Sequence, residues 1–437
     1  MKKKVVSVLL SVLMITGLTA GCGGGTGEGE STDGGTSEEP RELSLLVDTT
    51  NAANEGFLAI VDLAEEELNM TINVETRPAG TEGDNVVKTR LASGDMADLC
   101  VYNSGALLNA INPSEYFIDL SDQEFMDRVD DLYKEAVSVD EAVYGIPFAT
   151  SRGEAVLYNK EMYEKYGLEI PKTWDEFLAN CDVLQEAGET AVLGTFADAW
   201  TAQIVFLGDA YNLLTAVPDF PEKFDAGEMK WASTPEGLRS FEKLGDTTPY
   251  YNEDYLSMTY DEGCDVMVSG GAGHWFAMSN ALSAMYTLYE DMDMVNNLGM
   301  FAIPGDDADV NGITMWYPVA IYGNKNSENQ DAILDFMEFY ISEEALDAYC
   351  GATLPDGPFC VKDYEIPVEA YAAVSDIQAY IDAGNYEPAL EYISQVKGAD
   401  CPAICQELAS GQTTAEEAAA KYDDDCAKAA TQLGLDW

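Results

Sequence analysis

The side chains of this sequence that could catalyse the cleavage of a substrate are one histidine and 79 carboxylates. A Ser/His/Asp triad is disfavoured, because His274 is the sole histidine and no Gly-x-Ser-x-Gly segment occurs. A surface glycoside hydrolase would need two positioned carboxylates, and among so many acidic residues such pairs arise by chance. We therefore expect a protein that is not an enzyme, and a glycoside hydrolase is kept as an alternative.

Nine cysteines are the remaining reactive side chains. Cys350 and Cys360 flank a Pro/Gly turn and form the pair most suited to a disulfide. Cys401 and Cys405 stand one helical turn apart, but with no second pair and a single histidine they make a poor metal site. We expect no metal and no cofactor. Three other cysteines lie within apolar patterns, where a free thiol behaves as a small hydrophobic side chain: Cys100, Cys181 and Cys264.

The charge of the chain excludes one class of partner. The formal net charge is −57, from 22 basic and 79 acidic residues, and nucleic-acid binding depends on clusters of Lys and Arg. The same field repels anionic ligands at a distance and favours neutral or cationic ones. A strongly solvated surface is the simpler reason for the acidity.

The N-terminal segment predicts export and lipidation. A charged start at Lys2–Lys4 is followed by an apolar run from Val5 to Leu18, which is too short to span a bilayer. Its end, Leu18-Thr19-Ala20-Gly21-Cys22, resembles the lipobox of bacterial lipoproteins. We therefore predict a signal peptide over 1–21 and a lipidated Cys22 that anchors the chain to the outer face of the cell membrane. The Gly-, Ser- and acid-rich segment 22–41 cannot build a core and is predicted to be a flexible tether.

Strand-like and helix-like segments alternate after the tether, which is typical of βαβ units and an α/β fold. The segment 42–437 is long for one core, so we expect two lobes. The expected strands are Leu43–Val47, Thr71–Thr76 and Asp98–Tyr102, and the expected helices are Glu55–Asn69 and Asp84–Ser93.

Three helix starts fit the capping box, in which a hydroxyl and a Glu or Gln three residues later satisfy free backbone amides. They begin at Thr173, Ser327 and Thr414. The last of these predicts a C-terminal helix that Gly434 ends.

Residues 143–180 carry the most specific pattern of the chain. It combines Tyr144–Pro147, Leu157–Lys160, Gly167-Leu168 and Pro171–Phe177 in one order and spacing. This pattern resembles the extracellular solute-binding proteins of family 1, which capture sugars for bacterial ABC importers. The resemblance implies a two-lobed periplasmic-binding-protein fold (type II-like) with three hinge crossings, a ligand cleft between the lobes, and a permease partner in the membrane. It also implies a carbohydrate ligand, and we expect a monomer.

The hinge crossings implied by this resemblance are expected near Pro147–Thr150, Ile303–Gly305 and Leu354–Pro358, where turn residues interrupt the patterns. They divide the chain into lobe 1, at 42–149 and 305–352, and lobe 2, at 150–304 and 353–437.

A sugar site needs aromatic rings for the C–H faces of the ligand and polar groups for its hydroxyls. By comparison with the maltodextrin-binding branch of the family, Tyr102 falls at a stacking tryptophan, and Trp200 with Asp198 falls at an acidic-x-aromatic pair. Arg152 falls at a glutamate, which reverses the charge, and Trp275 matches a tryptophan with a slip of two residues. The C-terminal aromatic residue of that branch has no counterpart near Gly398, so we expect a ligand other than the same maltodextrin.

Further candidates come from their positions at strand ends, where the ligand loops of α/β proteins lie. They are Asp48, Thr49 and Asn51 after the first strand, Asn103 beside Tyr102, and Trp316 with Tyr317. Trp174 is expected to pack beneath its helix. A peptide or polyamine remains an alternative ligand, and a structural surface protein is disfavoured because the chain has no internal repeat.

Overall fold

Strands and helices alternate through the computed structural model, which describes residues 40–317, 319–367, 369–435 and 437. The predicted signal peptide, Cys22 and the predicted tether up to residue 39 lie outside the described residues. The strands are β1 (Arg41–Asp48), β2 (Met70–Arg77), β3 (Leu99–Asn103), β4 (Ser138–Val139), β5 (Ala142–Val143), β6 (Gly145–Pro147), β7 (Arg152–Asn159), β8 (Thr190–Leu193), β9 (Ala272–Met278), β10 (Leu298–Phe301), β11 (Ile313–Trp316), β12 (Val319–Gly323) and β13 (Tyr386–Pro388).

The α-helices surround these strands. They are α1 (Glu55–Leu68), α2 (Gly80–Ser93), α3 (Ala106–Asn109), α4 (Pro113–Tyr116), α5 (Asp131–Ala136), α6 (Lys160–Tyr166), α7 (Trp174–Glu186), α8 (Ile204–Leu207), α9 (Ala210–Ala216), α10 (Phe220–Asp225), α11 (Pro235–Thr247), α12 (Tyr260–Val268), α13 (Ala281–Tyr289), α14 (Met292–Asn296), α15 (Gln330–Tyr340), α16 (Glu343–Ala352), α17 (Ala372–Asp382), α18 (Cys401–Ala409) and α19 (Ala415–Leu433). Within the described ranges, no helix combines the length and apolarity that crossing a membrane requires.

The first sheet has the strand order β2-β1-β3-β12-β6. Its β1, β2 and β3 are parallel, and α1 and α2 connect them, which confirms the predicted βαβ alternation. Helix α1 forms because Asn54 accepts the Phe57 backbone N–H and because Phe57, Ile60 and Ala64 place one apolar face on the sheet. Strand β12 is antiparallel to both β3 and β6.

The second sheet is built around β7, in the order β13-β11-β7-β9-β8 with β10 also on β7. Strands β10 and β11 share one edge of β7 in succession. Strand β10 pairs with Val156–Asn159 and β11 with Arg152–Glu154. Most residues of β7 are buried, as expected for a central strand covered on both faces.

The chain passes between the sheets at three places. Strand β6 ends at Pro147 in the first sheet and β7 begins at Arg152 in the second, in agreement with the first expected crossing. The second expected crossing, at 303–305, is wrong, and so is the assignment of 305–316 to lobe 1. Strand β11 lies in the second sheet, so the chain returns after Trp316. The Gly305 turn joins two strands of the same sheet, and a turn signal does not specify which sheet follows it.

The third passage connects α16 to α17. There the backbone N–H of Ser151 donates to the carbonyl of Pro358 at 2.8 Å, so this segment lies against the first crossing. The other lobe boundaries stay a prediction.

Two of the three expected capping boxes are confirmed, at Thr173 and at Thr414. The one at Ser327 is wrong. The Ser327 hydroxyl donates to Asp98 at 2.5 Å, and α15 begins three residues later, at Gln330, without a side-chain cap. Gly434 ends α19 with φ 79°, a left-handed conformation that glycine adopts readily.

Cys350 and Cys360, the pair most suited to a disulfide by sequence, do not form one. Both are free, and all eight cysteines from Cys100 to Cys426 are buried. The Cys350 Sγ lies 3.5 Å from the Tyr364 hydroxyl instead. Burial raises the pKa of the thiols at Cys100 and Cys264 to about 12, so they act as small hydrophobic side chains.

Candidate ligand-binding site

A cavity of about 730 Å³ lies between the two sheets, with residues from both lobes in its walls. On the side of the first sheet, the walls are formed by the end of β3 and by helix α3, which follows it. On the side of the second sheet, they are formed by the start of β7 and the end of β11. The segment 391–402 and the end of helix α19 also line the cavity. Its aromatic and long apolar side chains are Trp200, Trp316, Tyr392, Leu107, Met278 and Leu433.

Trp200 offers the most accessible ring of this cavity. It lies in a 3-10 turn, Ala199–Gln203, and is 38% exposed. Tyr260 packs behind it, with the ring centroids 5.2 Å apart. Asp198 holds Tyr260 in place, because its carboxylate accepts the Tyr260 backbone N–H at 2.7 Å. The ring of Trp200 is therefore fixed from behind and open to the cavity.

Trp316 forms a second aromatic wall at the end of β11. Its indole N–H donates to Glu154, and its ring meets Tyr392 edge-on at 5.5 Å. Glu154 is fully buried, its other carboxylate oxygen has no partner among the described residues, and burial raises its pKa well above the usual range. The indole N–H is thus already used, which leaves the ring as the surface that Trp316 can present to a ligand.

Amide side chains supply the polar part of the cavity: Asn103, Gln203, Asn280, Gln395 and Gln432. The Gln203 carbonyl oxygen is buried and has no hydrogen-bond partner in the described part of the chain. A buried amide without a partner is costly. Hydroxyl groups of a ligand can remove this cost, since they both donate and accept.

Two cations and one carboxylate also border the cavity. Lys397 forms an ion pair with Glu391, and its ammonium lies 5.6 Å from the Trp316 ring centroid. Arg152 lies directly across from Trp316 in the β7–β11 ladder, so the two side chains share one face of the sheet.

The cavity thus contains four of the predicted site residues, namely Asn103, Arg152, Trp200 and Trp316. Asn51 and Tyr317 lie at a separate, smaller cavity of about 60 Å³, which Arg152 also borders. Asp198 does not line the cavity; it accepts the backbone N–H of Tyr260, which packs against Trp200.

The structure does not bring the other predicted residues to the cavity. Tyr102 is fully buried within β3, and Trp275 is 2% exposed within β9. Trp275 packs against Tyr260 at 5.4 Å, so it supports the Trp200 platform from behind. Asp48 accepts the backbone N–H groups of Thr50 and Asn51 at 3.1 and 3.0 Å and orders its own turn, and Thr49 is exposed outside the cavity.

The expected packing of Trp174 beneath its helix is confirmed, and His274 also has local partners. Trp174 is fully buried, and its indole N–H donates to Asp246 at 3.0 Å. His274 is also buried, with its Nδ1 2.8 Å from the carbonyl of Ala191 and its Nε2 2.7 Å from the Tyr163 hydroxyl. Burial lowers the pKa of His274 to about 4.

Tyr392, Glu391 and Lys397 are among the site residues that sequence reasoning missed, as are the amides Gln203, Asn280, Gln395 and Gln432. The first three lie in a 3-10 turn, Leu390–Tyr392, and the irregular segment after it, where neither helical nor strand periodicity applies. Tyr392 lies six residues before Gly398 and supplies an aromatic side chain that was not expected there.

The fold and the site together define a two-lobed α/β binding protein. The sequence profile of the family described as "Bacterial extracellular solute-binding protein" matches residues 49–347. The chain belongs to this family.

Two solved structures share this fold over nearly their whole length. A chitin oligosaccharide binding protein is 22% identical with a TM-score of 0.71, covering 90% of this chain and 100% of its own. The apo form of RafE from Streptococcus pneumoniae is 19% identical with a TM-score of 0.72, covering 90% and 99%.

Among curated proteins, the multiple sugar-binding protein of Streptococcus mutans serotype c is 25% identical over 270 residues, which is 59% of this chain and 60% of that protein. The chain therefore matches about three fifths of that relative's length.

Proposed function

We propose that this chain is the substrate-binding component of an ABC importer, and that it captures an oligosaccharide in the cavity and delivers it to a membrane permease. It acts as a monomer outside the cytoplasm, held at the outer face of the cell membrane by a lipid on Cys22. It binds its ligand without converting it. Family membership supports the binding role, and the names of the relatives support a sugar.

The observation that carries this proposal is the combination, in one cavity, of the open Trp200 ring, the largely buried Trp316 ring and the unpartnered amide oxygen of Gln203. Trp200 and Trp316 offer apolar surfaces to the C–H faces of sugar rings, and Gln203 offers a buried acceptor to a hydroxyl. The cavity of about 730 Å³ falls within the range of small-molecule sites. A polyamine fits less well, because it needs several carboxylates and the single one here, Glu391, is paired with Lys397.

A binding screen tests the proposal. The full chain, purified in detergent, is heated with each member of a panel of neutral and acidic oligosaccharides, peptides and polyamines. A ligand at 100 times its dissociation constant adds about 2.7 kcal/mol to the free energy of unfolding, so the correct class raises the melting temperature. We expect at least one oligosaccharide to do so. If peptides or polyamines stabilise the chain and no saccharide does, the proposal is refuted.

A further inference from the structure

The charge of the cavity is opposite in sign to the charge of the chain. The whole sequence has 79 acidic and 22 basic residues, whereas the cavity walls contain two basic residues and one acidic residue. The acidic one, Glu391, is already bound to Lys397. Arg152 is left without a bonded carboxylate in a cavity with a largely apolar and aromatic lining. Asp356 borders the smaller cavity that Arg152 also lines, but its two oxygens accept hydrogen bonds from Thr150 and Ser283.

Arg152 differs from every other arginine of the chain. The sequence has six arginines, all within the described residues, and five of them donate hydrogen bonds to a carboxylate or a backbone carbonyl: Arg41, Arg77, Arg90, Arg128 and Arg239. Arg152 has neither an ion pair nor a side-chain hydrogen bond to any described residue. In a chain so rich in carboxylates, an arginine without a partner at a half-buried position indicates that its partner comes from outside.

A guanidinium group recognises one chemistry especially well. Its planar donors match the two oxygens of a carboxylate, and such charge-assisted pairs are stronger than neutral hydrogen bonds. The ring of Trp316, which shares a sheet face with Arg152, can contact the sugar ring to which that carboxylate belongs. Repulsion from the acidic surface does not prevent this, because the Debye length is about 8 Å at physiological ionic strength.

We infer that the ligand is an acidic oligosaccharide, and that a uronic-acid carboxylate pairs with Arg152 in the cavity. This rests on the proposed function, since it specifies which oligosaccharides the same cavity selects. The short-range cation at Arg152 thereby reverses the preference for neutral or cationic ligands that the net charge alone predicts.

Matched pairs of probes test the inference by titration calorimetry on the full chain. One pair is trigalacturonate and its methyl ester, and the other is methylglucuronate-bearing xylotriose and plain xylotriose. Within at least one pair we expect the acid to bind at least tenfold more tightly than the neutral form, which is about 1.4 kcal/mol. Arg152→Gln should remove this difference, and Arg152→Lys should retain part of it.

Arg128→Gln is the matched control. It also removes one positive charge, but Arg128 lies outside the cavity and bonds to the Glu338 carbonyl, so the preference for the acid should persist. The inference is overturned if the neutral members bind as tightly as the acids, or if the full chain binds a neutral oligosaccharide from the wider panel and none of the acids. Those results leave the proposed function standing, whereas binding of no saccharide at all overturns both.

Discussion

Replacing Trp200 by alanine removes the open ring of the cavity while leaving its support in place. The residue is 38% exposed, and with a total area of roughly 250 Å² for a tryptophan this leaves roughly 95 Å² for a ligand to cover. At about 25 cal/mol per Å², covering half to all of that area contributes about 1.2 to 2.4 kcal/mol. We therefore expect the dissociation constant of Trp200→Ala to rise about 8-fold to 60-fold.

Trp275→Ala provides the contrast, because Trp275 is also a tryptophan but is only 2% exposed and packs behind Tyr260. We expect a loss of about 3 to 5 kcal/mol in the free energy of unfolding, measured by urea denaturation. Tyr289→Ala is the control for Trp200→Ala, since Tyr289 is an aromatic residue 46% exposed and does not border the cavity. It should leave the affinity unchanged.

Calorimetric titration with the oligosaccharide found in the screen gives the affinities, and urea unfolding without ligand gives the stabilities. A Trp200→Ala chain that binds within twofold of the original would refute the placement of the ligand against this ring. So would a loss of affinity that simply follows a loss of folded protein.

Three other predictions concern the anchor and two buried titratable groups. Cys22→Ser should release the chain from the membrane fraction, because the acidic tether adds no membrane affinity of its own; a variant that stays in that fraction would contradict lipidation. The single histidine resonance in proton NMR should titrate with a pKa of about 4, and not near 6.5, because folding buries His274 neutral; stability should therefore be lost as the pH falls from about 6.5 towards 4. Burial raises the pKa of Glu154 in the folded state, so the free energy of unfolding should fall as the pH rises above the ordinary pKa of a glutamate. Glu154→Gln keeps an acceptor for Trp316, and its advantage in free energy of unfolding over the original chain should grow between pH 4.5 and 7.5. An advantage that stays the same over this range would contradict the burial of an ionisable group.

Local patterns predicted the elements of the first sheet well. Helix α1 was expected at Glu55–Asn69 and spans Glu55–Leu68, because its cap and its apolar face are both written in neighbouring residues. Ser327 shows the limit of such patterns. Its hydroxyl has a distant partner, Asp98, and a partner 229 positions away along the chain leaves no mark in the local sequence. The second crossing failed for the same reason, since pairing between strands decides to which sheet β11 belongs.

The site was predictable only in part, because residue type does not reveal which side chains face a cavity. Trp200 and Trp275 carry identical side chains, and both were expected to contact the ligand. Trp200 lies within a 3-10 turn and is exposed. Trp275 lies in β9, where a strand on either side and the ring of Tyr260 exclude solvent. Tyr392 was missed because its position depends on the path of an irregular segment across the end of β11.

We expect the positions of Arg152 and Trp316 to decide which lobe a ligand contacts first. Arg152 is the first residue of β7 after one crossing, and Trp316 is the last residue of β11 before another. In a rotation about the crossings, groups next to the axis travel less than groups far from it. We therefore expect this pair to hold a ligand before the first lobe closes on it. In such a motion, the contact surface beside the hinge stays nearly stationary and the surface across the cleft moves.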